Sequence, residues 1–316
     1  MAARRAGATS GEMDTPLPMI AAPAAAPWPS ERVRVGLSLL ALYAIWSSTY
    51  LALRVVVVAL PALLSAGARY VVAGAVLLAV VRARGARFPT RREWLAATPI
   101  GALLFLCGNG FVALAERTVA SSVAAVACAT TPLWAALLGR FFGKRVSSRE
   151  AIGLAVGFVG VAALCWGDGL RGDRWTLALL LAAPFGWALG SILSQRLPVA
   201  PGLGAAATEM ITGGAAMAAV GALTGERLPT HVPASAALAL AYLVVFGSLV
   251  AFSAYSYLLR VTRTSVAMSY AYVNPALAVL LGAGVAGESI GVGTIVATAL
   301  VVAAVVLIAR AKRAAA

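Results

Sequence analysis

The stretch Thr264 to Glu288, TSVAMSYAYVNPALAVLLGAGVAGE, is apolar over a length that crosses a bilayer, yet Asn274 and Pro275 interrupt it near its middle. Proline removes a backbone donor and clashes with the preceding turn, which frees the carbonyl of Ala271. In hydrocarbon a freed carbonyl survives only against protein or water. The same design stands 143 residues upstream, from Ser121 to Arg145. There Pro132 matches Pro275, Ser121 and Ser122 match Thr264 and Ser265, and Gly139 matches Gly282. Two copies of one unit, each with a proline-broken helix, point to a binding site near the bilayer midplane where the copies meet.

Composition sets the solvent. The 316 residues are 61% hydrophobic and 11% charged, and the mean hydropathy is +0.91, which marks an integral membrane protein. The net charge of +14 does not mark a nucleic-acid partner, because the Lys and Arg lie between apolar segments and not on one solvated face. Ten segments approach the roughly 20 residues that span the hydrocarbon. They are placed at 33–54, 61–82, 94–115, 119–142, 149–167, 175–196, 202–223, 234–259, 264–286 and 290–310.

Alternate connections divide sharply in charge. One set holds Arg82, Arg84, Arg87, Arg91 and Arg92, then Arg140, Lys144, Arg145 and Arg149, then Arg196, Arg260 and Arg263, together with the basic residues of both termini; the other holds only Arg54, Arg117, Arg171, Arg174 and Arg227. Lys and Arg are retained inside, so both termini are expected in the cytoplasm. Five helices per unit is an odd number, so the second copy enters the membrane from the opposite side. The expected fold is all-α, with ten transmembrane helices in two inverted five-helix repeats around a central cavity. The expected divisions are a disordered tail over 1–32, a first repeat over 33–167, a second over 175–310 and a short basic tail over 311–316. Arg4 and Arg5 are followed by polar residues and not by an apolar core, so no cleaved signal peptide is expected.

Several stretches carry a family likeness: WSSTYLALR at Trp46–Arg54, GNGFVALAER at Gly108–Arg117, FGSLVAFSAYSYLLR at Phe246–Arg260, SYAYVNP at Ser269–Pro275, and Gly287-Glu288. On these the chain resembles the EamA-type transporters of the drug/metabolite transporter superfamily, over about residues 36–310. The resemblance implies a helical basket in a bacterial inner membrane and export of small metabolites, commonly amino-acid-like, or of amphipathic drugs. Ser47 stands where relatives usually carry Gly, and Lys144-Arg145 where many carry Gly-Glu.

Charged side chains deep in a span are functional candidates by default. Arg69 lies eight residues after Pro61 and Glu209 eight after Pro201, each about 12 Å into the membrane from opposite faces. Arg69 suits a substrate carboxylate, and Glu209 an amine or a coupling proton; a structural pair joining the second and seventh helices is the alternative. Arg54, Glu116 and Glu288 fall near the outer surface, where interface anchoring is expected. Asn109, Gln195 and above all Asn274 offer neutral hydrogen bonds suited to zwitterions, while capping of the carbonyls opened by Pro275 is a second role for Asn274. Trp46, Tyr50, Trp187, Tyr255 and Tyr270 are the preferred aromatic lining, drawn from a wider set that includes Tyr43, Trp134, Tyr257 and Tyr272.

Rival functions lack their parts. An intramembrane protease needs paired aspartates or a Ser–His couple, but Asp14, Asp168 and Asp173 lie outside the spans and the one histidine, His231, sits in a loop. Cys107, Cys128 and Cys165 all fall in apolar segments, which suits buried small side chains better than disulfides or metal ligands. No Walker loop precedes Lys144 or Lys312, so no nucleotide or other cofactor is expected. Secondary transport follows, with a small-molecule substrate, the lipid bilayer as surroundings and a proton or second solute as counter-transported partner. A receptor without transport stays open, as does the oligomeric state.

Overall fold

A computed structural model of the chain describes residues 30–141, 148–166, 174–262, 266 and 269–314. The tail up to residue 29, Lys144, Arg145, Thr264 and Ser265 lie outside the described residues, as do the side chains of Cys165 and Tyr272. Among the described residues the structure is helical without strands. The helices are α1 (Glu31–Ala59), α2 (Ala62–Ala83), α3 (Arg91–Ala115), α4 (Ser121–Phe141), α5 (Ser148–Trp166), α6 (Arg174–Ser194), α7 (Leu203–Leu223), α8 (Ala234–Leu258), α9 (Tyr270–Ala286) and α10 (Val292–Ala314). Seven of them, α1–α4 and α6–α8, are long and apolar enough to cross a membrane. The other three carry shorter apolar stretches, Ala151–Gly160, Val273–Ala286 and Val292–Ala304.

Local sequence explains where the helices start and stop. Leu60 is extended (φ −125°, ψ 156°) before Pro61, as a residue preceding proline prefers, and this separates α1 from α2. Thr90 and Glu93 form a reciprocal capping box at the start of α3, and Arg87 grips the Glu93 carboxylate at 2.5 Å. Helices α7 and α9 end alike. Gly225 (φ 85°) and Gly287 (φ 63°) are left-handed, a conformation that only glycine adopts freely. The next amide then turns back to close the helix, Glu226 N–H to Gly221 O and Glu288 N–H to Gly282 O, both at 2.9 Å.

Both glutamates reach out of their own half of the chain. The Glu226 carboxylate accepts from the amides of Leu63 and Leu64 at 3.1 and 2.8 Å. The Glu288 carboxylate accepts from the amides of Ser121 and Ser122 at 2.9 and 3.3 Å and from their hydroxyls at 2.8 and 2.9 Å. Helix starts leave amides unbonded, and here a charged side chain satisfies those of α2 and α4 from across the molecule. Although burial opposes ionisation of Glu288, the hydrogen bonds from Ser121 and Ser122 hold its carboxyl below the usual carboxylate range.

The most extensive packing joins α2 to α7 and α5 to α10. Small residues let the backbones meet, as they do between helices in lipid. A Cβ on Gly67 would stand 2.7 Å from Ala218 N and Gly214 O, and one on Gly213 would overlap the carbonyl of Gly101 on α3. Phe105, Leu133, Met210 and Met217 fill the interior, while large apolar side chains such as Leu40, Val58, Leu238 and Val285 point outward, which suits a lipid surround and not water. Gly213→Ala should lower stability by about 1–3 kcal/mol through overpacking. The control is Gly36→Ala, where a Cβ meets nothing within 4 Å. Thermal unfolding in detergent checks this, and equal melting of the two variants would contradict the close α3–α7 contact.

Candidate functional site

Three departures from regular helix meet at the centre. In α3 the residues Ala102–Gly110 wind as π-helix just after Pro99, and in α8 so do Leu243–Val250. In α4 the helix breaks at Ala129 and Thr130, ahead of Pro132. Cys128 O, which Pro132 leaves without its usual amide, is taken by Thr131 Oγ1 at 2.7 Å, and Thr130 Oγ1 joins its own N–H on Ala127 O at 2.6 Å. Asn109 does the same in α3, donating Nδ2 to Leu104 O at 3.1 Å. Irregular winding inside a spanning helix is found where a cavity must be shaped. All three segments border one cavity of about 110 Å³.

Helix α1 gives the cavity a wall at helical spacing, with Trp46, Thr49, Tyr50 and Leu53 lining it. Trp46 is the hub of the aromatic side. It meets Tyr270 edge-on with centroids 4.7 Å apart, Tyr255 at 5.3 Å, Phe252 at 6.2 Å and Trp187 at 6.3 Å. Its indole Nε1 donates to Gly247 O at 3.4 Å. Tyr270 and Trp187 also line the cavity, whereas Tyr255 stands behind them as support.

Arg69 brings a charge to this wall. It is 5% exposed, its Nε donates to Ser248 Oγ at 2.9 Å and its guanidinium lies 4.6 Å from the centre of the Tyr70 ring. It has no carboxylate partner among the described residues, where the ion pair is Arg87–Glu93. Arginine remains charged in proteins, so the cavity holds a cation without a counter-charge among the described residues. Gly247 leaves room for the guanidinium, since a Cβ there would lie 2.9 Å from Arg69 Nη2 and 3.0 Å from Thr49 Cγ2. Asn274 supplies the complementary group: it lines the cavity, is 6% exposed, and its Oδ1 is a buried acceptor without a partner among the described residues.

Trp46, Tyr50, Arg69, Asn109, Trp187, Tyr270 and Asn274, all singled out in the sequence, therefore line one cavity. Glu209 is placed elsewhere, buried in α7 with Oε1 accepting from Ser194 Oγ at 2.7 Å. Arg69 and Glu209 thus take separate hydroxyl partners and do not pair. Pro132 follows the break in α4, and α9 runs through Pro275 without ending. Trp134 packs against Phe158 and Phe185, and Tyr43 bonds Ser269 at 2.6 Å. Thr49, Tyr70, Cys128 and Phe252 are lining residues that the sequence reading passed over; Thr49 was accessible from its position three residues after Trp46 on the same helical face.

A spanning bundle with a polar, partly charged cavity at its centre defines a membrane transport protein, and the chain belongs to the EamA-like transporter family, which it matches over residues 34–166 and again over 174–310. It is 41% identical over 272 residues to the protein named "Uncharacterized inner membrane transporter YedA" of Escherichia coli (strain K12), covering 86% of this chain and 89% of that one. The proteins of the same name from Escherichia coli O6:H1 and O157:H7 match equally. A solved crystal structure with 21% sequence identity shares the fold, with a TM-score of 0.62 over 89% of this chain and 98% of its own.

An unpartnered buried acceptor costs stability that a hydrocarbon of similar size would not. Asn274→Leu should therefore melt at or above the wild-type temperature, by up to about 1–3 kcal/mol of added stability. A marked fall in melting temperature would show that the Asn274 amide is a structural bond and not a group held open for a ligand.

Proposed function

We propose that the chain is a secondary transporter that exports small amino-acid-like metabolites by alternating access of two inverted five-helix repeats, with both termini in the cytoplasm. The observation that carries this reading is the uncompensated Arg69 in an aromatic-walled cavity. A carboxylate meets the guanidinium through charge-assisted hydrogen bonds, an ammonium or other N–H donor meets Asn274 Oδ1, and an apolar or flat body packs on Trp46, Trp187 and Tyr270. A purely cationic amphipath finds no carboxylate on the cavity wall among the described residues, and Arg69 repels it.

The match of the family to each half of the chain supports duplication. The packing of α2 on α7 and of α5 on α10 brings together elements that hold the same place in each half. Inverted repeats give two shapes of similar energy, since each half can adopt the form held by the other. Neither nucleotide nor metal has a part in this scheme, and the energy comes from solute or ion gradients.

Counterflow in proteoliposomes tests the substrate class with a matched set: radiolabelled phenylalanine, phenylacetate, which lacks the ammonium, and phenethylamine, which lacks the carboxylate. Wild-type protein should prefer phenylalanine, then phenylacetate, over phenethylamine. Arg69→Met should raise the apparent KM for phenylalanine by about 10- to 100-fold, as loss of a charged hydrogen bond does. Asn274→Ala should impair phenylalanine more than phenylacetate. Preferential, Arg69-independent uptake of phenethylamine would reject the assignment.

A further inference from the structure

The connection between α3 and α4 carries a carboxyl group that neither the cavity nor the helix caps account for. Glu116 is 0% exposed, and both of its carboxyl oxygens are buried without a hydrogen-bond partner among the described residues. Its natural counter-ion is turned to other work, since Arg54 Nη1 donates to the backbone carbonyls of Glu116 and Val119. A buried carboxylate with no donor to either oxygen is far costlier than the neutral acid. The arrangement seen here is that of a group holding a proton.

Its neighbours connect it to two other parts of the molecule. The groups that act on it electrostatically are Arg54 and Tyr50 of α1, Cys128 of α4 and Glu288 of the α9–α10 connection. Helix α6 adds Thr176, bonded to Thr118 at 3.2 Å, and carries Arg174 at its exposed start; α2 gives Arg69 and Tyr70 to the cavity wall. Tyr50 and Cys128 also line the cavity, so Glu116 lies between the solute chamber and the end closed by Glu288 on Ser121 and Ser122. Glu288 is ionised under four donors, which makes a second negative charge beside it still less favourable.

We propose that Glu116 is the proton-binding site of this transporter: it takes its proton from the external solution when the end held by Glu288 on α4 opens, and carries it through closure of that end. The inference rests on the transport reading and its orientation, which place this end outside. A proton from external water adds to a Glu116 carboxylate oxygen in the open form. After closure it leaves past Tyr50 and Cys128 to the cavity and the cytoplasm, one proton inward for each solute outward. Glu209, hydrogen-bonded and away from the cavity wall, has no such connection.

Two measurements on the full-length protein in liposomes test it. Infrared difference spectra across a pH titration read the carbonyl stretch of protonated carboxylic acids without any solute; one component of that band should be lost in Glu116→Gln and kept in Glu209→Gln. With phenylalanine, a gradient of one pH unit, acid outside, should let the wild type sustain about a tenfold concentration ratio. Glu116→Gln should retain phenylalanine exchange and sustain a ratio of one. A band left unchanged in Glu116→Gln, or a gradient-driven ratio that survives in it, overturns the proposal, as does loss of that component in Glu209→Gln alone. If the wild type exchanges no phenylalanine, the substrate reading fails, and the infrared result by itself decides the proton site.

Discussion

Backbone groups freed inside a bilayer have no water to turn to, and the chain answers this constraint with side chains sent from one half to the other. The carboxylates of Glu226 and Glu288 close the helix starts of α2 and α4, so the ends of α7 and α9 are tied to the opposite half of the sequence. Each tie depends on a left-handed glycine just before the glutamate, which turns the chain sharply enough for the carboxylate to fold back over its own helix end. The helix dipole favours a negative charge at these places. Charged hydrogen bonds therefore do in the membrane what hydrophobic burial, with lipid on all sides, does not.

Groups that this accounting leaves over are concentrated at the centre. Thr130, Thr131 and Asn109 repair the irregular windings of α4 and α3, and Ser194 satisfies Glu209. Among the described residues Arg69 without a counter-charge, Asn274 Oδ1, the Tyr257 hydroxyl and the Glu116 carboxyl remain. A cation, an acceptor and a carboxyl left incomplete in one small region are expensive, and their expense is intelligible if a solute and a proton complete them in turn.

What could be read in the sequence follows from which signals are local. Ten apolar segments and the depth of Arg69 and Glu209 are visible by counting from prolines, because a spanning helix advances 1.5 Å per residue whatever surrounds it. Trp46 and Tyr50 were legible because four-residue spacing fixes a shared face. Glu116 was expected near the outer surface, since it follows the end of a span; its burial comes from α1, α4 and the connection carrying Glu288, contacts that no local pattern contains. The roles of Gly225-Glu226 and Gly287-Glu288 differ in legibility for the same reason. A glycine before an acid signals a helix end, but which distant helix receives the acid is a tertiary fact. The π-helical turns of α3 and α8 left no periodic trace, although Pro99 marks the approach to one of them.

The two ends of the bundle are held by bonds of different strength. At the end carrying Glu226 and Glu288 the contacts between halves are charge-assisted, whereas between α1 and the start of α9, toward the other end, Tyr43 and Ser269 share a neutral hydroxyl bond. Neutral hydrogen bonds contribute about 0.5–1.5 kcal/mol net and charged ones about 1.5–3. Alternating access requires both closed forms to lie within a few kcal/mol of each other. The difference in the bonds must then be offset by something that stabilises opening at the charged end. Ionisation of Glu116 is suited to that role: once its proton is gone, its charge stands beside Glu288, and hydration of both carboxylates favours the opening that the Ser121 and Ser122 donors otherwise resist. The proton and the carboxylate latch would on this argument be two halves of one device, with Glu116 setting when Glu288 can let go.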